Sequence, residues 1–172
     1  MIIKRSYKLK IIANAGKAEH IRYSVSRYKL YLQHFVTQLY YKPLVKSIST
    51  KGMGSIAHDA QNKARDIISS HRASVKSTGN KSNCPQIIFG VCPGSISKSK
   101  DSTFNYWVNI ITSWKHGGIK IPTNSHKALN SKIRTGWVLS EGCEIFQEKN
   151  GEWYARVFVS RQYLKPSQNY YP

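Results

Sequence analysis

The order of the secondary-structure patterns is the sequence feature that most constrains the fold. Residues 2–12 alternate between apolar and basic side chains, which predicts a β-strand with one basic face. The next clear strand patterns begin only at residue 104, after two helical patterns and a loop. Because a single strand is not stable alone, the first strand must pair with strands from the second half of the chain. The sequence therefore predicts an α+β fold in which the helices are inserted into a β-barrel.

Two segments carry the 3.6-residue period of α-helices. In the first, apolar residues recur from Ile21 to Leu39 and the pattern ends before Pro43, while Arg22, Arg27 and Lys29 lie off the apolar stripe. The second is expected to run from an N-cap at Ser55 to about His71. Its buried side would hold Ile56, Ala60, Ala64 and either Ile67 or Ile68. On its opposite side, spacings of three, four and seven residues predict one exposed polar stripe, formed by His58, Gln61, Arg65 and Arg72.

The second half of the chain is predicted to be rich in strands. Residues 73–103 are rich in Ser, Lys, Gly and Pro, which predicts a mobile basic loop. Within the last strand-like segment, Asn150-Gly151 predicts a tight hairpin turn. Residues 161–172 are polar and aromatic and are typical of a linker. The period of two predicts strands at 104–114, 118–121, 132–139 and 143–160.

The charge balance favours a polyanionic partner. Lys and Arg number 27 and Asp and Glu number 8, for a formal net charge of +19 at pH 7. The cations are spread over the whole chain, which indicates several surfaces that meet phosphate, although a solvated basic surface would give the same pattern. Nucleic acid is the first candidate. No apolar run is long enough to span a membrane, so we expect a soluble, cytoplasmic protein with no membrane partner.

The sequence lacks the side-chain patterns of the common catalytic and metal sites. Four of the eight acidic residues fall between positions 141 and 152, in or beside the hairpin, where solubilising surface charge is the expected role. The histidines form no zinc-hydrolase pattern, and the three cysteines lack the paired spacing of a zinc site. No glycine-rich phosphate-binding loop is present. We therefore expect neither a catalytic residue nor a metal site in this chain.

Several short motifs together resemble a known family. They are a basic-aromatic strand at 5–10, a long helix at 17–42, the pair Gln61-Asn62 on the next helix, a Lys-Ile-Pro segment at 120–122 and a strand with Trp153-Tyr154. In this order they resemble the N-terminal half of the TnpB-family transposon-encoded RNA-guided nucleases, the ancestors of type V CRISPR effectors. The resemblance covers most of the chain, but each motif is short.

The resemblance implies a fold and a role. Residues 1–15 and 101–160 would form a wedge-type β-barrel, and residues 16–100 an inserted helical recognition lobe with a basic loop. Residues 161–172 would be a linker-like tail. In that family these lobes hold the guide RNA and recognise a short motif beside the DNA target.

The resemblance also implies candidate binding residues. Gln61, with His58 and with Tyr106 or Trp107, would read the bases of the motif, since a glutamine amide can pair with adenine in the major groove. Other cations and aromatic residues would neutralise phosphate or stack on bases. They are Lys4, Arg5, Lys8, Lys10, Arg27, Tyr28, Arg65, Arg72, Trp114, Lys115 and Lys120.

One departure from the family concerns cleavage. Family members continue from the Trp-Tyr strand into a RuvC-like nuclease domain with an early catalytic Asp, whereas no Asp lies beyond Asp101 here. The resemblance therefore implies a split effector whose partners are guide RNA, target DNA and a separate RuvC-containing chain that holds Mg²⁺. Two alternatives stay open, a nuclease-less RNA-guided DNA-binding regulator and a ribosome-associated RNA-binding protein.

Overall fold

The computed structural model describes residues 2–43, 48–51, 54–79, 83–88, 90–99, 103–110 and 118–162. Within these residues the fold is α+β, with one six-stranded antiparallel sheet and three helices. The elements in chain order are β1 (Ile2–Lys10), α1 (Ala15–Tyr41), α2 (Ser55–Thr78), β2 (Val91–Lys98), β3 (Tyr106–Ile110), β4 (Ile119–Thr123), α3 (Lys127–Arg134), β5 (Val138–Gln147) and β6 (Trp153–Gln162). The strand order is β1-β6-β5-β2-β3-β4.

Strand β1 pairs with the last described strand, as its isolation in the sequence predicts. The antiparallel register runs from Ile2 opposite Gln162 to Lys10 opposite Tyr154. Leu9 faces the core, whereas Lys8 and Lys10 on the other face are exposed. The predicted long-range pairing and the predicted basic face are both confirmed.

The chain just after β1 contacts β4, the strand at the other edge of the sheet. Ile11 forms an isolated antiparallel bridge with Thr123. The backbone N–H of Ile12 donates to the carbonyl of Pro122 at 2.8 Å, and the N–H of Asn124 donates to the carbonyl of Lys10 at 2.9 Å. The two edges of the sheet are therefore joined by backbone hydrogen bonds at this end.

Helices α1 and α2 pack against each other through the stripes that the sequence predicts. In α1 the predicted apolar positions from Ile21 to Leu39 are buried, and the helix ends before Pro43. Helix α2 begins at Ser55, so its N-cap is Gly54 and not the predicted Ser55, and it ends at Thr78, about two turns later than predicted. Small side chains on its buried face allow the two helices to approach closely. The buried residues of α2 are Ile56, Ala57, Ala60, Gln61, Ala64 and Ile68.

The hairpin between β5 and β6 is confirmed at the predicted turn. Gly151 has a φ of 82°, a left-handed conformation that glycine adopts at little cost. The N–H of Gly151 donates to the carbonyl of Glu148 at 2.9 Å, and the N–H of Glu148 donates to the carbonyl of Glu152 at 3.0 Å. This turn fixes the register of β5 on β6 and so sets which residues face the solvent.

Two sequence predictions about local structure are wrong. The predicted strand at 132–139 is instead the end of α3 followed by the start of β5, because Leu129 and Ile133 lie on one helix face and pack toward the core. The predicted loop at 73–103 contains the end of α2 and the whole of β2. Part of the predicted strand at 104–114 and most of the predicted tail at 161–172 lie outside the described residues. In the described part of the chain, no helix is both long and apolar enough to cross a membrane.

Candidate nucleic-acid interface

The exposed side of α2 carries three of the four residues that the sequence assigns to a polar stripe. His58, Arg65 and Arg72 are exposed and seven residues apart, which places them along one helix face. The Arg65 guanidinium donates to the side-chain oxygen of Asn62 at 2.9 Å, and the Arg72 guanidinium donates to the carbonyl of Leu39 at 3.0 Å. Both groups are held by neutral acceptors, so they stay available for phosphate.

Gln61 is buried, and its predicted exposure is wrong. Its side chain is only 2% exposed. The amide nitrogen donates to the carbonyl of Ile48, and the amide oxygen accepts from Arg65 at 3.1 Å. The physical reason is that the buried face of α2 includes Ala57, so position 61, one turn later, lies on that buried face as well. In this conformation the amide positions Arg65 and presents no edge to a base.

The two candidates on β3 point in opposite directions. Tyr106 is fully buried, and its hydroxyl forms a hydrogen bond with the side chain of Asn130. Burial also raises the pKa of that hydroxyl above its ordinary value. Trp107 is half-buried and meets Phe104 edge to face, with 6.0 Å between ring centroids. Of the residues assigned to motif reading, His58 and Trp107 reach the surface, on different elements.

The outer side of α1 carries a cation between two tyrosines. The Arg27 guanidinium donates to the hydroxyl of Tyr31 and to that of Tyr23, each at 2.9 Å. It also lies 5.5 Å from the centroid of the Tyr31 ring. These hydrogen bonds raise the pKa of Arg27. Tyr28, one position along, is instead a core residue whose pKa is raised above its ordinary value by burial, so its ring is not available for stacking.

The basic face of β1 is partly neutralised by the hairpin. The Lys8 ammonium lies 2.6 Å from the carboxylate of Glu148, and Lys10 forms an ion pair with Glu152. Each hydrogen bond raises the pKa of its lysine. Since β1 and the hairpin are neighbours in the sheet, the clustered glutamates meet the clustered lysines directly.

The remaining predicted contact residues differ in their surroundings. Lys4 and Lys120 are exposed. Arg5 is exposed, and its guanidinium lies 5.4 Å from the centroid of the Trp137 ring. Trp114 and Lys115 lie outside the described residues.

A cleft of about 550 Å³ between α1 and the ends of β2, β5 and β6 contains residues that the sequence analysis did not assign to a site. Arg22 and Lys29 line it from the helix, and Phe146 and Arg156 line it from the sheet. The sequence does contain one indication of this cleft, because Arg22 and Lys29 are seven residues apart and so lie on the same face of α1. The strands that complete the cleft could not be placed beside that face from the sequence.

The described residues do not assemble the donors of a metal site. No group of three His, Cys, Asp or Glu side chains converges among them. Cys92 and Cys143 are buried, and burial raises the pKa of each thiol to about 12. These thiols are therefore protonated, uncharged core residues near neutral pH.

Comparisons with known proteins do not assign the chain. It matches no protein-family profile, and the search of curated proteins found no match.

Proposed function

We propose that this chain is the guide-RNA-binding and target-motif-recognising part of a split RNA-guided DNA nuclease of the TnpB type. One observation carries the proposal. The ion pairs among the described residues lie on β1 and the β5–β6 hairpin, whereas Arg65 and Arg72 on α2 have no acidic partner among the described residues. A chain with a net charge of +19 that leaves helical cations unneutralised is suited to hold phosphate.

The architecture supports the same role. Both long helices lie between β1 and β2 in the chain, and β1 pairs with β6 from the far end of the sequence. In our proposal the hydrogen bonds between the two sheet edges, around Ile11 and Thr123, close the sheet into a wedge-type barrel. The helices of residues 16–100 are then an inserted recognition lobe.

We assign motif reading to the surface residues rather than to the buried ones. His58 and Trp107 can present polar or aromatic edges to a nucleic acid, whereas Gln61 and Tyr106 are buried. Gln61 holds the Arg65 guanidinium, which would contact a phosphate beside the motif. In this proposal phosphate contacts from α2 set the register in which the bases are read.

Cleavage in this proposal is carried out by a RuvC-type half outside these 172 residues, which would also hold the Mg²⁺. Two-metal cleavage requires several carboxylates that converge on the ions. Three of the acidic residues, Glu144, Glu148 and Glu152, are instead paired with cations on the sheet surface.

Native purification of the chain from its source tests the proposal. We expect one non-coding RNA to be enriched, and target DNA matched to that RNA to be cut only after a second polypeptide is added. Stable target binding without a second polypeptide and without cleavage favours the regulator. Co-sedimentation with ribosomal subunits favours the ribosome-associated protein. A chain that emerges free of RNA contradicts all three.

A further inference from the structure

The cleft beside α1 has a wall that is fixed in place by hydrogen bonds. The Lys29 ammonium donates to the carbonyl of Ile88 at 2.9 Å. The Gln33 side chain accepts from the N–H of Ile87 at 2.8 Å. At the next described position, Gly90 lies so close to α1 that an added Cβ would stand 2.7 Å from a methyl carbon of Val25. The segment before β2 is therefore tied to the helix, and the opening between helix and sheet is preformed.

On the sheet side of the cleft, the aromatic ring of Phe146 is ordered by contacts with two neighbouring side chains. Phe146 stacks on Tyr154 with ring centroids 6.1 Å apart and an interplanar angle of 26°. The Arg156 guanidinium lies 5.1 Å from the Phe146 centroid and donates to Glu144 at 2.9 Å. Phe146 stays partly exposed and lines the cleft. A ring that these contacts already order can bind a planar group on its exposed part with little further loss of side-chain entropy.

The charge of the cleft is positive. Arg22, Lys29 and Arg156 line it, and none of the described residues that line it is acidic. Arg156 is paired with Glu144, whereas Arg22 is exposed and has no ion-pair partner among the described residues. Two cations thus remain for an anionic ligand. The volume of about 550 Å³ lies within the usual range of small-molecule sites and is too small for a duplex.

We propose that this cleft binds one unstacked nucleotide of a single-stranded nucleic acid, with the phosphate at Arg22 and Lys29 and the base against Phe146. A planar ring beside cations, with no carboxylate in the lining, is the combination that recognises an anion attached to a heterocycle. This proposal rests on the proposed function, since it supplies a specific nucleotide pocket to an RNA-binding chain.

The test compares variants of the full-length chain. Arg22→Gln removes the phosphate contact, and Phe146→Leu removes the aromatic surface while it keeps an apolar side chain in a half-buried position. Arg161→Gln is the matched control, because Arg161 is exposed on the same sheet, outside the cleft lining and opposite Ile3 at the far end of β6. Circular dichroism melting verifies that each variant is folded.

The first probe is a fluorescein-labelled oligoadenylate RNA of about ten nucleotides, measured by anisotropy. We expect Arg22→Gln and Phe146→Leu each to weaken binding about tenfold, and Arg161→Gln to change it less than about threefold. An RNA of equal length whose nucleotides are abasic should lose the effect of Phe146→Leu but keep that of Arg22→Gln. If the wild type binds RNA and all three variants lose affinity equally, the proposal that this cleft binds a nucleotide fails, whereas the proposed function stands.

The second probe is adenosine 5′-monophosphate, observed by saturation-transfer NMR with adenosine and inorganic phosphate as references. Weak binding of the nucleotide that disappears in Arg22→Gln supports the pocket. If the chain binds no RNA but binds this nucleotide with higher affinity than the oligomer, the pocket serves free nucleotides and the proposed function fails. If neither probe binds, both proposals fail.

Discussion

The side chain of Gln61 connects three parts of the helical region. It lies on the buried face of α2, donates to the carbonyl of Ile48 before the helix, and accepts from Arg65 on the exposed face. Its role in the described conformation is therefore structural. A helix-surface amide and a buried, satisfied amide look identical in a sequence, because the difference depends on the angle at which α2 packs on α1.

We predict that Gln61→Ala lowers the free energy of unfolding by about 1–3 kcal/mol, since it removes two part-buried hydrogen bonds and leaves the Ile48 carbonyl without this donor. Lys63→Ala, on the exposed side of the same helix, is the control and should change it by less than about 0.5 kcal/mol. Urea denaturation measures both. Equal stability of the two variants, with a specific loss of target-motif preference for Gln61→Ala, would restore the base-reading role.

The Lys10–Glu152 pair makes stability depend on pH at the acid end. The hydrogen bond from Lys10, followed by that from Tyr154, holds the pKa of Glu152 below its ordinary 4.5. A lowered folded-state pKa adds stability above pH 4.5 and loses it as the pH falls through the folded-state value. The pKa of Lys10 is raised above 10.5, so its contribution is present below that pH and is lost above it.

We therefore predict that Glu152→Gln flattens the pH dependence of the unfolding free energy below about pH 4.5. Chemical denaturation at a series of pH values tests this. Glu141→Gln is the control, because Glu141 is exposed and has no ion pair among the described residues. If Glu152→Gln leaves the slope of unfolding free energy against pH unchanged below about pH 4.5, the Lys10–Glu152 pair does not contribute to acid-side stability.

The three cysteines should differ in reactivity. Burial raises the pKa of Cys92 and of Cys143 to about 12, whereas Cys84 is partly exposed. At about pH 8 we expect Ellman's reagent to modify Cys84 alone in the folded chain and all three thiols after denaturation. Rapid modification of all three in the folded chain would show that the β2–β5 core is open.

At the scale of elements, the hairpin turn is the feature that the sequence predicts best. The turn runs from Glu148 to Gly151 with Lys149 and Asn150 at its centre, and Gly151 adopts the positive φ that closes this kind of hairpin. A Cβ added at Gly151 would meet no atom within 4 Å. Any loss of stability on substitution there therefore comes from the left-handed backbone conformation and not from a steric clash.

We predict that Gly151→Ala lowers the free energy of unfolding by about 1–2 kcal/mol, because an L-residue resists the left-handed conformation. Gly142→Ala is a matched control, since Gly142 also has open space around it and its φ is not positive. It should change stability by less than about 0.5 kcal/mol. Thermal or urea unfolding of both variants measures the difference, and equal effects would refute the backbone explanation.

The elements that the sequence missed, β2 and α3, each give a weak local signal. Strand β2 contains Pro93 and Gly94, which are typical of loops. Proline is tolerated there because residues 91–95 of β2 pair with β5 and only residues 95–98 pair with β3, so position 93 has a neighbour on one side. Helix α3 is too short for its period to stand out. Helix α1 is long and has a stripe of eight buried positions, so its periodicity is clear in the sequence.

The candidate site was predictable only in part, for a related reason. Alternation along β1 indicates that Lys8 and Lys10 are exposed, but their glutamate partners depend on the pairing of β1 with β6 across most of the chain. The cleft likewise depends on where α1 crosses the sheet. Periodicity assigns a residue to a face, whereas partners across the fold require the register.

At the scale of the whole molecule, the distribution of unpaired charge is the central feature. Acidic partners among the described residues neutralise Lys8, Lys10 and Arg156 on the β1–β5–β6 sheet, whereas Arg65 and Arg72 on the helical surface have no such partners there. A net charge of +19 alone predicts attraction to any polyanion. The uneven pairing predicts in addition that Arg65 and Arg72 contribute more to phosphate binding than Lys8 and Lys10 do.

The salt dependence of RNA affinity in two charge-matched double variants tests this claim most directly. Arg65→Ala with Arg72→Ala removes two unpaired cations, and Lys8→Ala with Lys10→Ala removes two paired ones. For single-stranded RNA, the slope of log affinity against log salt should fall by about 0.7 per lost phosphate contact in the arginine variant and should change little in the lysine variant. Equal slopes in the two variants, or a wild-type chain with no affinity for RNA, would contradict the account.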